Sequence, residues 1–305
     1  MDSDKKGHLI AFLTIFMWST TFVSTKVLLH ELSPIEILIF RFLLGFLALL
    51  IIYPRFKLFT SIKEELLFLI LGGSGVFLYF ILENIALQYT QATNVGIIVS
   101  TAPIFTAILA AFTLGNVKFN AELLFGFLVA ISGIIILVTG NGGSIGFNLS
   151  GDLIALAGAL SFGAYSVLIQ KVDSDKHHYI FVTQKTFLYG LFWMLLYVLL
   201  LGEKLDYQNF LESRVLLNML FLGLVASGLC FVLWNYAIRL IGPVSTSNYI
   251  YLVPFITALT SIAILDERMT WRIFLGGVLT IIGLLLSQGR ALYLLKMLFP
   301  IREQS

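Results

Sequence analysis

Long apolar stretches separated by short polar breaks run the length of this chain. They fall near 8–29, 34–53, 66–88, 92–114 and 121–139, and again near 152–172, 179–201, 215–238, 243–265 and 272–289. Each is long enough to cross a hydrocarbon core of roughly 30 Å as an α-helix. The pattern predicts ten spanning helices, five in each half, with the glycine-, asparagine- and serine-rich stretch Gly140 to Asn148 joining the halves. The halves also repeat in register. Pro103, Thr106 and Ala107 recur 151 residues later as Pro254, Thr257 and Ala258, and Asn84 and Ala86 recur as Asn235 and Ala237 at the same offset. Near the start of each half, Gly7, Leu9, Ile10 and Ala11 recur as Gly151, Leu153, Ile154 and Ala155, 144 residues later. A unit with an odd number of spans leaves the membrane on the side opposite to its entry, so the second copy must insert upside down relative to the first. The expected fold is an all-α integral membrane protein of ten transmembrane helices, arranged as two inverted-topology five-helix repeats. The repeats occupy 1–141 and 151–290, with a linker at 142–150 and a tail at 291–305.

Composition agrees and narrows the function. The chain is 59% hydrophobic and 12% charged, with a mean hydropathy of +0.96, outside the range of water-soluble domains. The first run is too long for a signal-peptide core and lacks a small-residue cleavage site, so it is expected to stay attached as a span. A net charge of +2, with the cations dispersed among loops, gives no basic stripe, and nucleic acid is not an expected partner. The single cysteine, Cys230, cannot form an internal disulfide. His8, His30, His177 and His178 lack metal-ligand spacing, so neither metal nor other cofactor is expected, and the His177–His178 pair reads as a solvated loop. With the N-terminus in the cytoplasm, lysines and arginines divide 12 inside to 4 outside, counting Lys5, Lys6, Arg55, Lys57, Lys63, Lys118, Lys171, Lys176, Arg239, Arg290, Lys296 and Arg302 against Lys204, Arg214, Arg268 and Arg272. Both termini are then expected in the cytoplasm of a multi-pass cell-membrane protein. The tail after Arg290 is either an interfacial helix on the inner surface or a partly ordered end.

Three ionisable residues lie well inside predicted spans: Arg41, Glu83 and Lys185. A charge near the bilayer centre costs roughly 3 kcal/mol, so each calls for a partner, a polar cavity or the interface. Arg41 and Lys185 are 144 residues apart, which puts one cation in the second helix of each half. Both sit near a span end, where a long side chain can snorkel, so anchoring or a scaffold ion pair competes with solute contact. Glu83 is too short to snorkel. Tyr79 precedes it by one helical turn, Asn84 and Asn235 are repeat equivalents beside it, and its own repeat counterpart is Trp234. An acid facing an aromatic suits a solute with an amine or an apolar body, and a carboxylate so placed could instead carry a coupled proton. A structural pairing with Arg41 or Lys26 is the competing reading. Pro103 and Pro254 fall inside the fourth and ninth spans and free the carbonyls of Val99 and Ile250, either as packing kinks or as matched gating helices. Ser100, Thr101, Asn248, Tyr249 and Tyr251 cluster just before them, and Trp18 and Tyr165 add aromatic candidates in the first and sixth spans. Ala155, Ala159 and Gly163, and the pairs Gly126/Gly133 and Gly276/Gly283, read as close-packing positions.

In these features the chain resembles the drug/metabolite transporter superfamily, specifically its ten-span EamA family. The residues that carry the resemblance are Trp18, Ser19 and Phe22 in the first span, Pro34 with Arg41 and Phe42, and Ala86 to Thr90 with Ala92. Pro103, Thr106 and Ala107 continue it, and Asp266 and Glu267 ahead of Gly276 and Gly283 close it. Gly115 and Asn116 stand where the first copy would often carry an acid, leaving Glu267 as the one acid at that place in the repeat. The resemblance implies secondary transport across the inner membrane, often export of amino acids or other small metabolites, through a cavity between the halves. Its partners would be a small-molecule substrate and the lipid bilayer, with coupled protons an option. A channel or facilitator is the alternative function. An intramembrane enzyme is disfavoured because no span offers a catalytic constellation.

Overall fold

The computed structural model describes residues 3–89, 92–114, 121–139, 149–203, 205, 212–257, 259 and 271–287. Residues 140–148, which hold most of the linker predicted at 142–150, the predicted tail at 291–305, and Gly115, Asn116, Asp266 and Glu267 lie outside the described residues, and Leu149 and Ser150 already belong to a helix. Among the described residues the regular structure is all helix. Six helical runs are long and apolar enough to cross a membrane: Asp4–Leu28, Pro34–Ile52, Ile62–Tyr89, Ser150–Lys171, Tyr179–Leu201 and Ser213–Ile241. Large apolar side chains such as Ile51, Phe112, Leu199 and Leu200 stand on the outer surface, as a protein solvated by lipid requires. The chain is a multi-pass membrane protein.

Local chemistry sets the element ends. In chain order the first half forms α1 (Ser3–Ser19), α2 (Thr21–Leu28), α3 (Pro34–Ile52), α4 (Ile62–Leu71), α5 (Tyr79–Tyr89), α6 (Ala92–Val99), α7 (Ala102–Leu114) and α8 (Ala121–Thr139). The second half forms α9 (Leu149–Leu168), α10 (Tyr179–Leu201), α11 (Ser213–Leu220), α12 (Cys230–Ile241), α13 (Pro243–Ser247) and α14 (Trp271–Ser287). A capping box starts α3: the Glu36 carboxylate accepts from the Ser33 N–H at 2.7 Å, the Ser33 hydroxyl accepts from the Glu36 N–H, and Pro34 takes the first helical position. Gly202, at φ +65°, ends α10 in the left-handed conformation that glycine adopts without strain. The first span bends at Thr20, where the hydroxyls of Ser19, Thr20 and Thr21 donate back to Ile15, Met17 and Trp18 carbonyls and compete with the helical ladder.

The third and eighth spans share a feature the apolar pattern does not foretell. Each contains a π-helical stretch, Gly72–Leu78 between α4 and α5 and Phe221–Leu229 between α11 and α12. At the 151-residue offset the first stretch falls on 223–229, within the second. Both lie at close crossings. A Cβ on Gly72 would come within 2.5 Å of the Gly190 nitrogen in α10, and one on Gly223 within 2.7 Å of the Leu44 Cβ in α3. A Cβ on Gly75 would fall 2.2 Å from the Tyr165 ring, so this stretch also carries the contact with α9. Across α8 and α14, Gly126 abuts the Ser287 backbone and Gly283 the Ala130 backbone, so both act in close packing.

The segments predicted as the fourth and ninth spans are not continuous kinked helices. The fourth breaks at Ser100 and Thr101 into α6 and α7. In the ninth, α13 runs into a 3-10 turn, Asn248–Leu252, ahead of Pro254. The turn gives the Ile250 carbonyl the Val253 N–H in place of the bond that Pro254 cannot make, and the Ser100 hydroxyl from the first half also reaches it at 3.4 Å. The predicted free carbonyl is therefore satisfied locally and across the halves.

Candidate functional site

Elements of both halves meet around a small enclosed cavity of about 30 Å³. Trp18, Tyr79, Phe80 and Glu83 come to it from the first half, and Phe162, Ile250 and Val253 from the second. Glu83 is 2% exposed, and Tyr79, one turn earlier in α5, lines the same cavity. A carboxylate in such surroundings is costly unless it meets charge or hydrogen bonds. Trp18 is fixed as the lid of this group: its indole N–H donates to the Ala226 carbonyl at 2.7 Å, and its ring centroid lies 5.1 to 5.8 Å from those of Trp234, Phe231 and Phe162. A volume of about 30 Å³ leaves room for a water or two and for no organic solute.

A second, open cavity of about 740 Å³ lies at the end of the bundle bearing the loop from Val172 to His178. Tyr53 stacks on His178 at 4.9 Å and Tyr179 on Tyr236 at 5.0 Å in its walls, with Gln170 and Arg239 beside them. Burial and the nearby Arg239 hold His178 below the usual histidine range. The histidine pair is not a simple solvated loop: His177 lies 3.3 Å from Glu64 and packs against Phe181, and the His178 ring nitrogen caps the start of α10. Asn235 connects the two regions. It lines the open cavity, donates to the Thr183 hydroxyl and accepts from the Tyr165 hydroxyl at 2.7 Å, and the Tyr165 ring touches Phe162 of the closed cavity.

The sequence candidates thus separate. Trp18, Tyr79 and Glu83 come together in the closed cavity, while Asn235 and Tyr165 form the layer between cavities. Trp234 does not line the cavity opposite Glu83. It is fully buried one layer back, behind Trp18 and Phe162. Asn84 donates to the Pro34 carbonyl, Ser100 and Thr101 hydroxyls donate to Gly96 and Ile98 carbonyls, and Tyr249 pairs with His8 at 3.0 Å. Tyr251, Asn248, Pro103 and Pro254 are buried in packing around the broken helices. Neither intramembrane cation snorkels. Arg41 and Lys185 are both fully buried, and Lys185 is a scaffold residue, donating at 2.7 Å to Glu65 and at 2.9 Å to the Leu58 carbonyl. Lys26 donates to the Leu87 carbonyl and Arg41 donates through Nε to Ser227, and among the described residues no Arg41–Glu83 ion pair forms, against the competing reading of a direct pairing. The residues that sequence reasoning missed are Phe80, Phe162 and the aromatic walls of the open cavity. Phe162 alone left a trace, beside Gly163 in the small-residue stripe of the sixth span.

Helices of two repeated halves closing on a buried acid, with a wide opening on one side, define a polytopic membrane transporter. The chain belongs to the EamA-like transporter family, whose model matches residues 5–139 and 149–288. Among its relatives, an uncharacterized transporter of Archaeoglobus fulgidus is 28% identical over 293 residues, 94% of this chain and 99% of that one. The uncharacterized transporter YdfC of Bacillus subtilis is 26% identical over 89% of this chain and 87% of its own. A probable amino-acid metabolite efflux pump of Escherichia coli is 24% identical over 93% and 95% of the two chains. A solved crystal structure, 20% identical in sequence, shares the fold with a TM-score of 0.75 over 95% of this chain and 99% of that chain.

Proposed function

We propose that this protein is a secondary transporter that exports a small amine-bearing metabolite, most simply an amino acid, across the cell membrane by alternating access. The observation that carries the reading is Glu83, buried beside Tyr79 in an aromatic-lined cavity walled by residues of both halves. A carboxylate there offers an ammonium group the charge-assisted bond that lipid and apolar walls do not. The likeness to a relative named a probable amino-acid metabolite efflux pump supports the same solute class. The closed 30 Å³ cavity beside an open one of 740 Å³ supports a site sealed on one side and opened by rearrangement. Glu83 is also the group through which protons would couple. The test is counterflow: liposomes containing the purified protein and loaded with an unlabelled aromatic or aliphatic amino acid are expected to draw in the labelled solute faster than unloaded ones. Equal rates for the whole panel would favour a channel or facilitator.

The architecture that goes with this mechanism is two inverted five-helix repeats, 1–141 and 151–290, with both termini in the cytoplasm and the linker outside. The overlapping π-helical stretches and the 12 to 4 cation split support it. Ser144→Cys in a Cys230→Ala background is expected to react with an impermeant maleimide on intact cells. Reaction only after permeabilisation would invert this orientation and reject the repeat arrangement.

A further inference from the structure

The repeat contains its own comparison for buried cations. Arg41 and Lys185 stand 144 residues apart at equivalent places in α3 and α10, and both are fully buried. Lys185 is saturated: Glu65 and the Leu58 carbonyl accept from its ammonium, and Tyr189 and Thr60 hold the same carboxylate. Arg41 is not. Its Nε donates to the Ser227 hydroxyl at 3.0 Å and its guanidinium lies 4.3 Å over the Phe80 ring, yet Nη1 and Nη2 are buried without any hydrogen-bond partner. The sequence explains the difference. At the 151-residue offset that aligns the third and eighth spans, the counterpart of Glu65 is Leu216, so the first-half cation has no scaffold acid to meet.

Buried donors are almost always satisfied, and a guanidinium with both terminal nitrogens unpaired is the largest such debt among the described side chains. Its two Nη groups present a flat pair of donors whose geometry matches a carboxylate and not a single acceptor. The Phe80 ring beneath it is at the same time a wall of the closed cavity, next to Tyr79 and Glu83. Among the described residues neither Glu83 nor Arg41 forms an ion pair, so an acid and a cation approach the same ring, Phe80, each without an opposite charge in contact. We propose that Arg41 is the carboxylate receptor of the solute site, opposite Glu83 as ammonium receptor, so that the site selects a dipolar amino acid over the corresponding amine. This rests on the reading that Glu83 meets the solute. Phe80 then sits between the two charges as the apolar partition that keeps them from collapsing together in the closed state.

The test uses two pairs of probes that differ only by a carboxylate, L-phenylalanine with 2-phenylethylamine and L-leucine with 3-methylbutylamine, titrated against the purified full-length protein. Wild type is expected to bind each amino acid at least ~10-fold more tightly than its amine, the discrimination expected of a charged hydrogen-bonding group. Arg41→Gln is expected to weaken the amino acids by about 10- to 100-fold and to leave the amines within about 2-fold, erasing the preference. Ser227→Ala, which untethers Nε but keeps the charge, is expected to weaken the amino acids alone by about 3-fold, and it serves where the Arg41 variant does not fold. A wild type without preference in both pairs would overturn the assignment, as would a preference that survives Arg41→Gln or an equal loss for acid and amine in Ser227→Ala. These outcomes are separable from failure of the parent reading. If Glu83 is needed for transport but amines move as well as amino acids, only the role of Arg41 is lost, whereas normal transport by Glu83→Gln removes the solute site itself.

Discussion

Glu83→Gln is expected to lower solute exchange by at least about 10-fold while the protein still folds, because it removes one charge and keeps the size and most of the hydrogen bonding of the side chain. A hydrogen bond to a charged group is worth about 1.5–3 kcal/mol, which corresponds to roughly 10- to 150-fold in affinity. Glutamine fills the same space beside Tyr79, so the scaffold of α5 is left in place. Two patterns of loss divide the roles of this residue. Loss of binding for amine-bearing solutes assigns recognition, whereas retained exchange with loss of accumulation driven by a pH gradient assigns proton coupling. Normal transport across a range of pH, or a variant that does not fold, would instead make Glu83 a structural residue of the first half.

Lys185→Met should act on stability and not on solute. It strands the Glu65 carboxylate, whose side chain is 11% exposed, beside Tyr189 and Thr60 without its cation. Removing one partner of a buried ion pair costs about 3–5 kcal/mol, and the loop that Lys185 holds through the Leu58 carbonyl is released as well. Reversible unfolding in mixed micelles is the measurement, with a loss of about 3 kcal/mol expected. Adding Glu65→Gln to Lys185→Met should recover part of that loss, since the double variant buries no unpaired charge. A single variant within about 0.5 kcal/mol of wild type would show the pair to be dispensable.

These two residues illustrate what the sequence could and could not disclose. Charges within apolar spans are conspicuous, so Glu83, Arg41 and Lys185 were legible as positions needing an explanation. Which explanation applies depends on the neighbouring helix. Lys185 is tied down because Glu65 stands at the start of the third span, and nothing in the spacing of α10 reveals that contact. The breaks around Pro103 and Pro254 were legible because proline lacks a donor, but the 3-10 turn that satisfies the Ile250 carbonyl was not. Phe80 and Phe162 escaped notice for a general reason. In lipid the outward face of a helix is as apolar as its packed face, so hydrophobic periodicity does not separate a cavity wall from the lipid surface. The π-helical stretches were hidden similarly: Gly72, Gly73 and Gly75 lie at close approaches, but the residue pattern does not mark a wider helical turn.

On the proposed function the solute binds in the small cavity lined by Trp18 and Glu83, and Thr21 provides a probe within it. Thr21 lines the cavity and is 5% exposed, and its hydroxyl donates only to the Trp18 carbonyl of its own span. In a Cys230→Ala background, Thr21→Cys is expected to react slowly with a small methanethiosulfonate as the cavity opens, and saturating transported amino acid should slow that reaction by about 10-fold or more. A labelling rate unchanged by a solute that the same protein demonstrably exchanges would contradict the account and move the binding site elsewhere.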